Sequence, residues 1–380
     1  MPIGTVRNLY VWSVMAAIDT MTISLARPAC AGSPPPIPRA LALGSDPAIR
    51  IPPTPTGSAP RRSRKVKARP ELHRGSRAGA WKVERELGRG GMASVHAVVH
   101  AGFGKRAALK IAHASILSEQ FTPETFLREA RIANLVQHPG VTDVFATGSF
   151  DGRPYLVMEQ LTGGTLGERL ERGPMERTRG IEILLELCSI LAAAHAAGVV
   201  HRDLKLDNVF LLTSPCAGGG RLKLLDWGVA AIVGEPDPLA GLVAGTLTYV
   251  APEQVRGDDP TTASDIYSLA VLAYQVLLGQ PPFSSPNDLE LIRKHLRDAP
   301  PAPSKLWAEI PADLEALLLG MLSKRAEDRP TLDEIVQVLT EVRVELAPVA
   351  LTRKKFVVPV RLAGAALAIA AAAISISAVW

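Results

Sequence analysis

The run His201-Arg202-Asp203-Leu204-Lys205-Leu206-Asp207-Asn208, followed at once by the apolar stretch Val209-Phe210-Leu211-Leu212, constrains this chain more than any other feature. A carboxylate, a cation two residues later and an amide five residues later can converge on a nucleophilic hydroxyl, a transferring phosphoryl group and a metal ion. The bland alternative is a charged structural turn, but chance assembles such a run rarely. A second stretch, Leu224-Leu225-Asp226-Trp227-Gly228, puts an acid at the end of an apolar strand. A hard oxygen ligand there suits Mg²⁺ bound to phosphates.

Upstream lie two weaker signals. In Leu87-Gly88-Arg89-Gly90-Gly91-Met92-Ala93-Ser94-Val95 the glycines let a hairpin backbone approach phosphate oxygens that a Cβ would obstruct. A dinucleotide site would want a helix next, whereas the residues after Val95 read as strand; an ordinary glycine-rich hairpin is the alternative. In Ala108-Leu109-Lys110-Ile111 a lysine interrupts an apolar strand. Buried, its ammonium needs a carboxylate and an anionic ligand, and Glu129, in the helical pattern Glu124 to Leu135, is the expected partner. A surface lysine laying its stem along the sheet is the alternative.

From Trp81 the chain shows short β-branched runs separated by glycines; from about Met175 it shows long apolar periodicities, such as Ile181 to Ala197 and Asp265 to Leu278. A strand-rich part therefore precedes a helical one. Residues 1–80 are rich in Pro, Arg, Ser and Gly and carry 12 Lys/Arg against 3 Asp/Glu, so they read as a disordered basic leader. The cluster Arg61, Arg62, Arg64, Lys65, Lys67 and Arg69 could meet nucleic acid or anionic lipid, but no aromatic side chains interleave it for base stacking, and nucleic acid is not expected as a partner. Asp19 and Arg27 interrupt the apolar residues 9–31, which argues against a signal peptide. Cys30, Cys188 and Cys216 show no metal-ligand or disulfide spacing.

At the other end, residues 362–380 carry no charge and as a helix would span roughly 28 Å, near the thickness of a bilayer's hydrocarbon. Arg353, Lys354, Lys355 and Arg361, in a basic segment of 345–361, would mark the cytoplasmic side. The expectation is a single-pass cytoplasmic-membrane anchor with the folded part in the cytoplasm and no sensor domain beyond it; an Ala-rich soluble helix is the alternative.

Taken in order, the glycine loop, strand lysine, helix glutamate, H-R-D-L-K-x-x-N, D-x-G and Ala251-Pro252-Glu253 resemble the bacterial, eukaryotic-like serine/threonine protein kinases, in particular their membrane-anchored branch, over residues 81–344. The resemblance implies an α+β bilobal fold, with an antiparallel sheet and one main helix over about 81–160, a helical lobe over about 161–344, and ATP with Mg²⁺ (or Mn²⁺) in the cleft. It implies that Gly88, Arg89, Gly90, Gly91, Met92, Ala93 and Ser94 cover the phosphates. Leu87, Val95, Ala108, Met158, Glu159 and Leu161 would surround adenine. Lys110 would hold phosphates and Glu129 would orient it. Asn208 and Asp226 would bind the metal, Asp203 would accept the hydroxyl proton and Lys205 would steady the γ-phosphoryl group. It also implies a Glu253–Arg329 pair and a brace of the catalytic loop by Asp265. Lys205 and Thr246 point to serine and threonine as acceptors, in protein substrates that include a second copy met transiently for autophosphorylation.

Three departures matter. Ala93 replaces a glycine, and Trp227 replaces a phenylalanine but still fills an apolar slot. The segment Val229 to Ala244 has no Ser, Thr or Tyr, so Glu235 or Asp237 is expected to supply the charge that Arg202 would otherwise draw from a phosphate, leaving Thr246 and Thr248 as the hydroxyls nearby. A pseudokinase scaffold is the competing function, though none of its expected losses is seen. A third reading makes the leader the functional element.

Overall fold

The computed structural model describes residues 71–118, 121–216, 219–237 and 246–347. Most of the basic leader, the juxtamembrane segment and the expected span at 362–380 lie outside the described residues. Among the described residues no helix is long and apolar enough to cross a membrane.

The first part is a six-stranded antiparallel sheet in the order β1-β2-β3-β4-β6-β5, built from β1 (Arg77–Ala78), β2 (Trp81–Arg89), β3 (Ala93–His100), β4 (Arg106–Ala112), β5 (Val144–Phe150) and β6 (Arg153–Met158). Alternation sets its two faces. Val83, Val98, Leu109, Ile111, Tyr155 and Val157 belong to one buried cluster, which also takes in Leu72 and Ala78. Both lie ahead of Trp81, where two-residue β1 is too short to leave a periodic trace. Helix α1 (Pro123–Leu135) opens with Thr122 accepting from Thr125 N–H and proline in the first turn, a favourable start on both counts. Its Phe126 and Ala130 pack on Ala93, Ala112 and Leu156, and this contact aims Glu129 at β4.

The helical part comes next in the chain: α2 (Leu166–Glu171), α3 (Arg177–Ala196), α4 (Pro252–Arg256), α5 (Thr262–Leu278), α6 (Asp288–Arg297), α7 (Ala312–Met321) and α8 (Leu332–Leu346). In α5, thirteen side chains from Ser264 to Leu277 are buried, the mark of a helix enclosed on nearly every side, and Gly279 at φ 82° ends it. Between the two parts run β7 (Gly163–Thr165), β8 (Val199–Val200), β9 (Val209–Leu212), β10 (Leu222–Leu224) and β11 (Ala231–Ile232), with β7 and β10 flanking β9 and β11 pairing β8. Gly163 has no substitute: a Cβ would stand 1.9 Å from Leu211 O, at φ 150°. This α+β arrangement, an antiparallel sheet with one helix followed by a helical lobe, is the one expected.

Candidate active site

Where the sheet meets the helical part lies a cavity of about 870 Å³, within the range of small-molecule sites. Strand alternation decides what enters it. On β3, Ala93 and Val95 line the cavity, while Ser94 turns to the other face, where its Oγ stands 3.0 Å from His96 Nε2. Leu87, Gly90, Gly91, Met92, Ala108, Met158, Glu159 and Leu161 also line it, and a Cβ at Gly88 or Gly91 would meet only open space. Arg89 departs from expectation: its side chain folds back on Glu86, with hydrogen bonds of 3.1 and 2.8 Å. Gly88, Arg89 and Ser94 are therefore not among the lining residues, and Gln160, Thr142, Glu168 and Phe210, which carried no motif, are.

Lys110 projects from β4 into the cavity. Its Nζ donates to Glu129 at 2.9 and 2.8 Å and to Asp226 Oδ1 at 2.8 Å. Burial opposes the charged amine, but the two carboxylates outweigh it and hold Lys110 well above the ordinary lysine range. The Lys110 charge in turn draws Asp226 down to about 2, so Asp226 is an ionised oxygen donor at any physiological pH, with 38% of its side chain open to the cavity.

The run after β8 supplies the other groups. Asp203 Oδ2 accepts from Lys205 Nζ at 2.5 Å and from Asn208 Nδ2 at 3.1 Å, and its Oδ1 accepts the Thr246 N–H at 3.2 Å. The backbone here is strained: Arg202 at φ 67° and Asp226 at φ 60° occupy the left-handed region, at roughly 1–3 kcal/mol each. Asp265 holds the first of them in place. One carboxylate oxygen accepts the His201 N–H and the other the Arg202 N–H, both at 2.9 Å, and His195 Nε2 lies 2.9 Å from the former. Burial works against this charge, and His195 and His201, the latter also through its N–H, outweigh it, keeping Asp265 below the usual carboxylate range. Trp227 is 1% exposed, donates its Nε1–H to Leu224 O at 3.2 Å and packs edge-on against the His201 ring, under the strained loop.

Two groups of residues went unread in the sequence. Lys223, on β10, is buried, donates to Val141 O at 3.0 Å and pairs with Glu159 behind the cavity's rim. It is a lysine inside an apolar run, the same signal that revealed Lys110. Arg128 and Arg131, on α1, meet acids of the segment after Gly228, and only the fold brings those together. The implied pair of Glu253 and Arg329 is present, with oxygens 2.7 and 2.8 Å from the guanidinium.

The donor set fits a magnesium–phosphate ligand. Asn208 and Asp226 offer an amide and a carboxylate oxygen, and Mg²⁺ ordinarily takes one or two protein donors with the rest from phosphate and water. Among the described residues no cluster of three or more His, Cys, Asp or Glu could hold a metal alone.

The family model described as Protein kinase domain matches residues 81–339. Among curated proteins, the serine/threonine-protein kinase Pkn1 of Myxococcus xanthus is 37% identical over 257 residues, 67% of this chain and 37% of the relative. PknB of Mycobacterium tuberculosis is 33% identical over 271 residues, 69% of this chain and 42% of the relative. The chain thus spans less than half the length of these relatives.

Proposed function

The chain belongs to the protein kinase family, and from that premise we propose that it transfers the γ-phosphoryl group of ATP to serine and threonine hydroxyls of proteins. The observation that carries the reading is the shared cavity: Lys110, Asp203, Asn208 and Asp226 all line it. In this reading Lys110, oriented by Glu129, holds α- and β-phosphate oxygens. Gly90 and Gly91 leave room for phosphates beneath the hairpin. The walls at Leu87, Val95, Ala108, Met158 and Leu161 take the adenine, with backbone groups of Glu159 to Leu161 at its edge. Asn208 and Asp226 would hold Mg²⁺ (or Mn²⁺), which when bound would supply positive charge to the phosphates. Asp203 orients the acceptor hydroxyl and takes its proton, and Lys205, 2.5 Å away, steadies the charge in transit. Lys205 and the names of the relatives support serine and threonine rather than tyrosine.

The test is transfer of labelled γ-phosphate to a basic protein by the full chain. Asp203→Asn is expected to lower kcat by about 10²–10⁴ while nucleotide still protects the chain from thermal unfolding, and Lys110→Met to abolish detectable transfer. Equal signals from all forms would overturn the reading in favour of a nucleotide-binding scaffold.

The finer placement is a membrane anchor at 362–380, with the kinase domain in the cytoplasm. Its support is the uncharged 19-residue stretch behind Arg353, Lys354, Lys355 and Arg361. Fractionation of the full chain against one ending at residue 350 tests it: the full chain is expected in the detergent-extractable membrane fraction, and equal partition would reject the anchor. In this reading Thr246 and Thr248, the first hydroxyls after the segment from Val229 to Ala244, are the acceptors for autophosphorylation in a transient homodimer.

A further inference from the structure

Two carboxylates of the segment after Gly228 sit on three arginines drawn from elements far apart in sequence. Arg202 Nη1 and Nη2 donate to the two oxygens of Asp237 at 2.5 and 3.3 Å, and Arg202 Nε donates to Val229 O at 2.5 Å. Arg128 of α1 lies 3.8 Å from the same Asp237 carboxylate and donates to Ala230 O at 3.0 Å. Almost one turn along α1, Arg131 makes a forked pair with Glu235 at 3.0 and 2.7 Å.

The two contacts differ in what they can transmit. The side chains of Arg202 and Asp237 are 4% and 15% exposed, and that of Arg128 is 14% exposed, so their attraction acts largely out of water. Arg131 and Glu235 are 59% and 35% exposed, and water and salt screen them. Their positions differ as well. Arg202 immediately precedes Asp203, and Arg128 immediately precedes Glu129. The Asp237 carboxylate therefore ties the residue beside the proton acceptor to the residue beside the partner of Lys110.

We propose that Asp237 is a positioning residue that holds the catalytic loop and α1 in mutual register by a charge built into the chain, so that transfer needs no phosphate to neutralise Arg202, on Thr246 or Thr248 or on the segment from Val229 to Ala244. That segment has no hydroxyl side chain to carry one. The inference rests on the kinase reading above and assigns to Asp237 the neutralisation of Arg202 that a phosphate would otherwise provide. Glu235 plays the lesser part, as an outer clasp on α1.

The experiment compares the purified full chain, before and after a broad-specificity phosphatase that is then removed, with Asp237→Asn, Asp237→Glu and Glu235→Gln. Measured quantities are the initial rate on a basic protein, KM for ATP and the thermal midpoint. The dephosphorylated wild-type chain is expected to keep its initial rate without a lag. Asp237→Asn is expected to lose about tenfold or more in kcat with KM for ATP changed by less than about twofold, at a midpoint close to wild type. Asp237→Glu should recover most of the loss, and Glu235→Gln should lose far less. A wild-type chain that dephosphorylation silences, or an Asp237→Asn chain with undiminished kcat, overturns the inference while leaving the kinase reading intact. A loss that Asp237→Glu does not relieve assigns Asp237 a merely structural role and overturns it too. A wild-type chain inactive in every form overturns the kinase reading itself.

Discussion

Lys223 acts at a distance from its own strand. Its ammonium is buried, and its partner Glu159 also accepts the Asp143 N–H at 2.9 Å, while Glu159 N–H donates to Asp143 O at 3.0 Å. The strand that leads to Asp226 thus grips, from behind, the segment proposed to edge the adenine. Lys223→Met removes the countercharge from Glu159 and frees that segment, which acts on nucleotide binding before and during transfer alike. Steady-state kinetics should show KM for ATP rising about tenfold, equivalent to about 1.4 kcal/mol, with kcat little changed; Lys223→Met combined with Glu159→Gln should recover part of the loss. The contrast with Lys110 explains which residues were readable in the sequence. Asp203, Lys205, Asn208 and Asp226 stand in short runs where chemistry demands their identity at fixed spacing. Lys223 has the same apolar setting as Lys110 but no motif around it, and Arg89 and Ser94 lie in a motif yet point away, because strand alternation and the nearby Glu86 decide side-chain direction.

Among the elements, α4 is the least able to stand alone. It has five residues, Pro252–Arg256, too few to persist without tertiary contacts. Its anchor is Glu253, which accepts two bonds from Arg329 and one from Ser264 Oγ at 2.7 Å on α5. Arg329 is 0% exposed in its side chain and also donates to Ala263 O at 2.7 Å and Ser323 O at 2.9 Å. Arg329→Met leaves a buried carboxylate without its cation and two carbonyls without their donor. A loss of about 3–5 kcal/mol is expected, read as a fall of roughly 10 °C in the thermal midpoint, and Glu253→Gln added to it should restore part of the loss. The long elements were legible for physical reasons. The apolar periodicity of α3 and α5 runs over many turns because both are buried, and the helical pattern Glu124 to Leu135 lies within α1. The pairing of Glu253 with Arg329, 76 residues apart, came only from family resemblance, since no local pattern specifies a contact at that range.

For the molecule as a whole, acid stability should divide into two windows with different owners. His295 is fully buried; burial first, and then the Lys324 charge, hold it down to about 3. Around it stand Tyr267, whose hydroxyl is 3.0 Å from Nδ1, the Phe283 ring, and Lys324, whose Nζ donates to the His295 carbonyl at 2.8 Å, and among the described residues no carboxylate is hydrogen-bonded to its ring. Unfolding frees this histidine to titrate near its ordinary value of about 6.5. Between about 6.5 and about 3 the unfolded chain therefore binds a proton that the folded one refuses, and stability falls as pH falls, by on the order of a few kcal/mol across the window. His96 and His138, also lowered mainly by burial, add in the same direction. Asp226 works lower down: its stabilisation is complete above the ordinary aspartate value of about 3.9 and is lost only as pH falls toward its folded value of about 2. Urea unfolding by circular dichroism at about pH 7, 5.5 and 4.5 should show a progressive loss in the wild-type chain. His295→Gln keeps a polar partner for Tyr267 without a titrating ring and should flatten that loss, and a variant as acid-sensitive as wild type would remove His295 from the account.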